Sequence, residues 1–181
     1  MAPDTTTSRV PDLRFLLSHP AHFIALGFGS GLAPKAPGTF GTLAALAIYW
    51  ILALALPPLA IAFVAIPLFF LGIWACDVTG RDLGAADHGS MVIDEIAAFL
   101  PLAAFAALGQ KTVFATLVFQ FMAFAFFRLF DIWKPYPIRE FERRLKGGFG
   151  VMFDDLVAAS YTYVVLIVIV LIEHKFLQGA S

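Results

Sequence analysis

The chain has 181 residues, of which 60% are hydrophobic and 14% charged, with a mean hydropathy of +0.85. Soluble domains carry about a quarter charged residues, so the composition excludes an ordinary soluble domain and indicates one integral membrane domain of the all-α class. A net charge of −1 offers no general attraction to nucleic acid, and the single cysteine, Cys76, excludes an intrachain disulfide and a cysteine-rich metal site.

Residues 1–20 read as a polar tail without an apolar h-region, so no cleavable signal peptide is expected. The stretch "GSGLAPKAPGTFGT", Gly29 to Thr42, superficially resembles a phosphate-binding loop. It fails as one: Pro34 stands where the second glycine belongs, Ala36 follows Lys35 where Ser or Thr is required, and no strand precedes it. Its small residues instead favour close helix packing. As a helix start it also offers N–H groups to an anion, so Thr39 is a candidate phosphate contact.

A helix needs about 17–25 apolar residues to cross a bilayer. Five runs qualify: 39–56, 59–75, 91–108, 112–130 and 152–172. Pro67 and Pro101 fall inside the second and third, which membrane helices accommodate with a kink. Pro57–Pro58 and Gly109–Lys111 make short turns; 76–90 and 131–151 make longer polar loops on the side of the N-terminal segment. That side holds ten of the twelve lysines and arginines, leaving Lys111 and Lys175 opposite. The positive-inside bias makes the long-loop side cytoplasmic. One membrane domain is expected over 21–175, with a short tail at 176–181.

Most carboxylates lie on the same side, in three clusters. "DHGSMVIDE" supplies Asp87, His88, Asp94 and Glu95, the last two at the start of an apolar helix. There they complement the helix dipole, but an ionised group inside an apolar run also needs a partner. His88 is the only histidine in an acidic cluster, and its open roles are general acid or base, metal ligand, donor to a metal ligand, or structural residue. "FRLFDIWKPYPI" spaces Arg128, Asp131 and Lys134 by three, so they share a face while the helix lasts. Asp131 is placed against the dipole there, which pairing with Arg128 or a bound cation would explain. Trp133 and Tyr136 suit the membrane interface. "GGFGVMFDDLVAA" has glycines 147, 148 and 150 for a sharp turn, then Asp154 and Asp155 entering the last span.

Oxygen ligands without cysteine suit a hard cation, Mg²⁺ by default, with Asp94, Glu95, Asp131, Asp154 and Asp155 as candidate ligands. "PIREFERRLKGG" is expected to form a short interfacial helix with Pro137 at its first position and an Ile138, Phe141, Leu145 stripe. It either holds anionic lipid or delivers Arg139 to a phosphate. Arg128 and Lys134 would join Arg139 in offsetting phosphoryl charge. Cys76 and Arg81 have one residue too few between them for a cysteine-phosphatase cradle, and there is no D-x-D or H-E-x-x-H motif.

"GFGSGLAPKAPGTFGT", "DHGSMVIDE", "FRLFDIWKPYPI" and "GGFGVMFDD" together resemble the phosphatidylglycerophosphatase A family, in order, across about residues 20–160. The resemblance implies an all-helical bacterial inner-membrane enzyme. Its reaction would be Mg²⁺-dependent removal of the terminal phosphate of phosphatidylglycerophosphate, giving phosphatidylglycerol in phospholipid biosynthesis. It aligns Asp87, His88, Asp94, Glu95, Arg128, Asp131, Lys134, Asp154 and Asp155 with the family's polar motif positions. Asp87, His88, Asp94 and Asp131 are the expected catalytic groups. Lys35 departs from the pattern. The expected partners are the phospholipid substrate and membrane lipids, with homo-oligomer formation left open. The competing reading is a transporter or lipid-binding protein using the same acids as an ion path. That reading calls for polar groups at mid-membrane, and the spans offer few.

Overall fold

A computed structural model of the protein describes residues 10–179, with side chains as far as Lys175. The described residues contain helices and connecting loops and no strand. The first nine residues, the polar start of the expected tail, lie outside the described chain.

Two short helices open it, α1 (Leu13–Ser18) and α2 (Pro20–Ala25). Asp12 caps α1 by accepting from the Phe15 N–H at 2.8 Å, and His19 caps α2 through Nδ1, with Pro20 in the first turn. Phe15 and Leu16 turn inward against Leu26 and Leu83. His22 stacks on Phe15 and bonds Asp82 Oδ2 at 2.8 Å. This entry module therefore rests on the helix end that carries Asp82 and Leu83, within the region read from sequence as tail and loop. A 3-10 turn, Gly27–Leu32, leads on to α3 (Pro37–Leu52).

The remaining helices are α4 (Pro58–Leu83), α5 (Ile93–Ala107), α6 (Val113–Trp133), α7 (Ile138–Arg144) and α8 (Gly147–Gly179). α4, α6 and α8 are long and apolar enough to cross a membrane; α3 is apolar but shorter. α5 is the central element. Its 15 residues rise about 22 Å, less than a hydrocarbon core of about 30 Å. Nevertheless 11 of them are buried, because α3, α4, α6 and α8 surround it. Protein rather than lipid is its solvent, so its length is not set by the bilayer.

Helix continuity corrects two expected loops. α4 runs to Leu83, eight residues past Ala75, and ends at Gly84 in the left-handed conformation, φ 73°. The chain becomes polar at Asp77 because the helix emerges from the apolar layer. Likewise α6 continues to Trp133 and α8 begins at Gly147, so Asp131 lies on a helix, as Asp154 and Asp155 were expected to. Pro137 sits one position before α7, at its N-cap, rather than at its first residue.

The glycines expected to make a sharp turn have a different use at Gly148. A Cβ there would overlap the Ile73 carbonyl, so its absence lets the α8 backbone touch α4. The Gly148 N–H donates to Asp77 Oδ1 at 2.5 Å, fastening the start of α8. At the opposite end, buried Gln120 accepts from Trp50 Nε1 and donates to the Ala103 carbonyl, both at 3.0 Å. Those bonds join α3, α6 and α5.

Candidate active site

Five helix termini meet at one end of the bundle: the starts of α3, α5 and α8, and the ends of α4 and α6. Three carboxylates converge there. Asp94 and Glu95 come from the first turn of α5 and Asp155 from the third turn of α8. One oxygen from each lies within 4.8 Å of the others. Glu95 and Asp155 are buried, and half-buried Asp94 is the member nearest the surface.

Asp131 and Arg128 complete the wall from α6. Arg128 Nη1 bonds Asp131 Oδ2 at 2.6 Å and approaches Glu95 Oε1 at 3.4 Å. The expected pairing of Arg128 with Asp131 is thus present, and the same guanidinium also braces Glu95, a partner the sequence did not suggest. Four carboxylates gather in this desolvated place with one guanidinium, which reaches two of them. Asp94 Oδ1, Glu95 Oε2 and Asp155 Oδ2 are buried without a hydrogen-bond partner. Buried carboxylate oxygens of this kind carry a large cost unless a cation or donor meets them. The donor set, all oxygen, fits a hard divalent ion.

Lys134 and Asp154 belong to a neighbouring lobe. Lys134 caps α6 at φ 46°, the left-handed region, so the shared face of Arg128 and Asp131 ends before it. Its ammonium instead reaches Glu142 Oε1 at 2.8 Å and Asp154 Oδ2 at 3.4 Å. Burial opposes that charge, but the Glu142 bond and the Asp154 carboxylate outweigh it and hold the proton more tightly than in an ordinary lysine. Asp154 and Asp155 are adjacent, about 100° apart on the helix. One faces Lys134 and the other faces Asp94, so Asp154 lies outside the three-carboxylate cluster. Asp87 and Asp154 share a cavity of about 300 Å³ with Glu142 and Lys146.

His88 is half-buried, and its Nδ1 accepts from the Ser90 N–H at 3.2 Å. In the neutral ring that leaves the proton on Nε2. Arg139 is exposed and donates to the Trp133 carbonyl at 3.1 Å, on the rim of a second cavity of about 410 Å³ that also meets Lys134 and Arg143. Trp133 and Tyr136 are exposed at the same level. Thr39 is half-buried, and its N–H is taken by the Ala36 carbonyl at 2.9 Å. Within that motif the residue touching the site is Gly38. A Cβ there would overlap Glu95 Oε1 and come within 2.9 Å of Arg128 Nη1. The signal for Gly38 was the small-residue spacing of "PGTFGT". Glu142 and Asp77 had none beyond their charge.

The chain as a whole is similar to known proteins. A family model described as phosphatidylglycerophosphatase A matches residues 23–170. The chain belongs to the phosphatidylglycerophosphatase A family. Membership makes it a phosphoric monoester hydrolase, and the helices make it a membrane-embedded one. A Haemophilus influenzae phosphatidylglycerophosphatase A is 42% identical over 165 residues, covering 90% of this chain and 96% of the relative. An Escherichia coli protein of the same name is also 42% identical, over 80% of each chain. A Bacteroides thetaiotaomicron relative, provisionally named a phosphatidylinositol-3-phosphatase, is 37% identical over 80% of this chain and 90% of its own. No solved structure matches the chain.

Proposed function

We propose that the protein hydrolyses the terminal phosphate of phosphatidylglycerophosphate, from the cytoplasmic face of a bacterial inner membrane, in a Mg²⁺-dependent reaction. The observation that carries this reading is the convergence of Asp94, Glu95 and Asp155 with one unpartnered buried oxygen on each. Those three residues would hold the cation, with Asp131 beside them. The bound ion would supply Lewis acidity toward a phosphoryl oxygen. The cytoplasmic side follows from the ten basic residues of the long-loop end.

The chain's own groups then have separable tasks. Arg128 fixes Asp131 and Glu95, so the carboxylates are set before substrate arrives. Lys134, fully charged, offsets phosphoryl charge at the mouth, and Arg139 stands further out on the rim. Asp87 accepts a proton from the attacking water as its oxygen bonds to phosphorus. The phosphorus–oxygen bond to glycerol breaks, and the leaving oxygen takes the proton that Asp87 drew from the water, while the His88 Nε2–H donates a hydrogen bond to that oxygen. The family names support this substrate, while the Bacteroides relative identifies the competitor against which it needs testing.

The test uses purified protein in detergent, phosphatidylglycerophosphate and phosphatidylinositol 3-phosphate as parallel substrates, and phosphate release as readout. Release from the first should exceed that from the second, stop with EDTA and return with Mg²⁺. Equal rates before and after chelation would overturn the metal assignment. Preference for the inositol lipid would overturn the substrate.

A further inference from the structure

We propose that a groove between α4, α5 and α8 seats one fatty acyl chain of the phospholipid whose phosphate sits at the carboxylates. This rests on the phospholipid-phosphatase reading above and extends it to how the substrate is held. The groove measures about 260 Å³ and is lined only by apolar residues.

Three observations connect it to the acids. First, Asp94, Ala98 and Pro101 stand at i, i+4 and i+7 on α5, so one helix face carries the acid at one end and the groove below it. Second, Met152 and Leu156 bracket Asp155 on α8, and Met152 packs beside Gly72, where a Cβ would lie 2.6 Å from its sulfur. Third, the α4 wall runs from Ala62, one turn into the helix, to Phe70, a rise of about 12 Å toward the acid end. The floor is small residues, Ala65, Ala97 and Ala98, while Ile66 and Phe70 form an exposed rim.

α4 and α8 are both membrane-crossing helices, so the rim faces lipid. A lipid entering sideways could keep its chain in hydrocarbon while its headgroup reaches Asp94. A soluble phosphate ester has no use for such a groove, and the alternation of alanine floor with bulky rim provides a slot rather than a flat annular face.

The experiment uses the full-length protein in detergent with a phosphatidylglycerophosphate that carries a diazirine midway along one acyl chain. After photolysis, label should concentrate on peptides covering 62–70 and 97–101. Unlabelled phosphatidylglycerophosphate should compete it away, and phosphatidylcholine should not. In parallel, Ala98→Leu should lower kcat/KM about tenfold for a long-chain substrate, the scale of one or a few methylenes in an apolar pocket. Turnover of a dibutyryl analogue should change less than twofold. Ile66→Trp fills the groove from its exposed rim without entering the helix packing, and should act the same way. Label spread over all lipid-facing helices without competition, or equal losses on both chain lengths in the Ile66 variant, would overturn the groove. Should phosphatidylglycerophosphate prove a poor substrate while another phosphomonoester lipid competes the label, the substrate reading fails and the groove stands.

Discussion

Two groups of acids stand side by side at one end of the bundle, and they are built on opposite principles. In the lobe of Lys134, Glu142 and Asp154, each carboxylate has an ammonium within 3.4 Å. In the lobe of Asp94, Glu95 and Asp155, one guanidinium serves Glu95 and Asp131, and three carboxylate oxygens are left buried and unpartnered. The first lobe carries its own counter-charge, although Asp154 Oδ1 is also buried without a partner. The second sets one guanidinium against four carboxylates, and burial without compensation is unfavourable by several kcal/mol per ion. The boundary runs between neighbouring residues, Asp154 and Asp155. Identical chemistry one position apart along a helix is sent to different tasks by the 100° step between them.

The largest expected effect separates those two aspartates. Asp155→Asn should lower phosphate release by at least about 100-fold, the upper range for even the outer partners of metal ligands. It should also weaken Mn²⁺ binding measured by calorimetry. Asp154→Asn should cost roughly tenfold, on the scale of one general electrostatic contact, and leave Mn²⁺ binding unchanged. Equal losses of ion binding would erase the distinction between the lobes.

Next come two glycines that differ in what they touch. Gly38→Ala pushes Glu95 and Arg128 aside and should reduce turnover about 100-fold, as small misplacements at a reacting centre do. Gly148→Ala separates α8 from α4, and should cost about 1–3 kcal/mol by overpacking while the folded fraction keeps most of its turnover. Thermal unfolding in detergent, read beside activity per folded molecule, checks both.

A third effect tests whether the paired lobe balances its own charge. Lys134→Met should destabilise by about 1–2 kcal/mol, less than for a fully buried pair because the lysine is partly solvated. Adding Asp154→Asn should restore much of that stability without restoring turnover. The smallest effect lies far from both lobes. Gln120→Leu removes the bonds to Trp50 and Ala103 and should lower stability by about 0.6 kcal/mol, with unchanged phosphate release.

Much of this was legible along the chain. The apolar runs marked five helices near their observed positions, because a helix is apolar whether lipid surrounds it or, as for α5, other apolar helices do. The basic residues marked one end of the bundle, and the acid clusters marked the same end. Boundaries were less legible where polarity and helicity part company. Asp77 to Leu83 looked like loop because the residues turn polar, yet a helix leaving the membrane has no reason to stop there.

The four motifs, through composition and order alone, determined the membrane class, the family and the supply of carboxylates. Tertiary structure alone decided which carboxylates meet. Asp94 and Asp155 are 61 positions apart and come together only because α5 and α8 pack side by side. It also decided that Lys134 leaves the face of Arg128, through a left-handed residue that helical spacing cannot anticipate, and that Gly38 rather than Thr39 abuts Glu95. Spacing along one helix is a local property of backbone geometry. Convergence between helices depends on how side chains of different sizes let backbones approach, and no single segment carries that information.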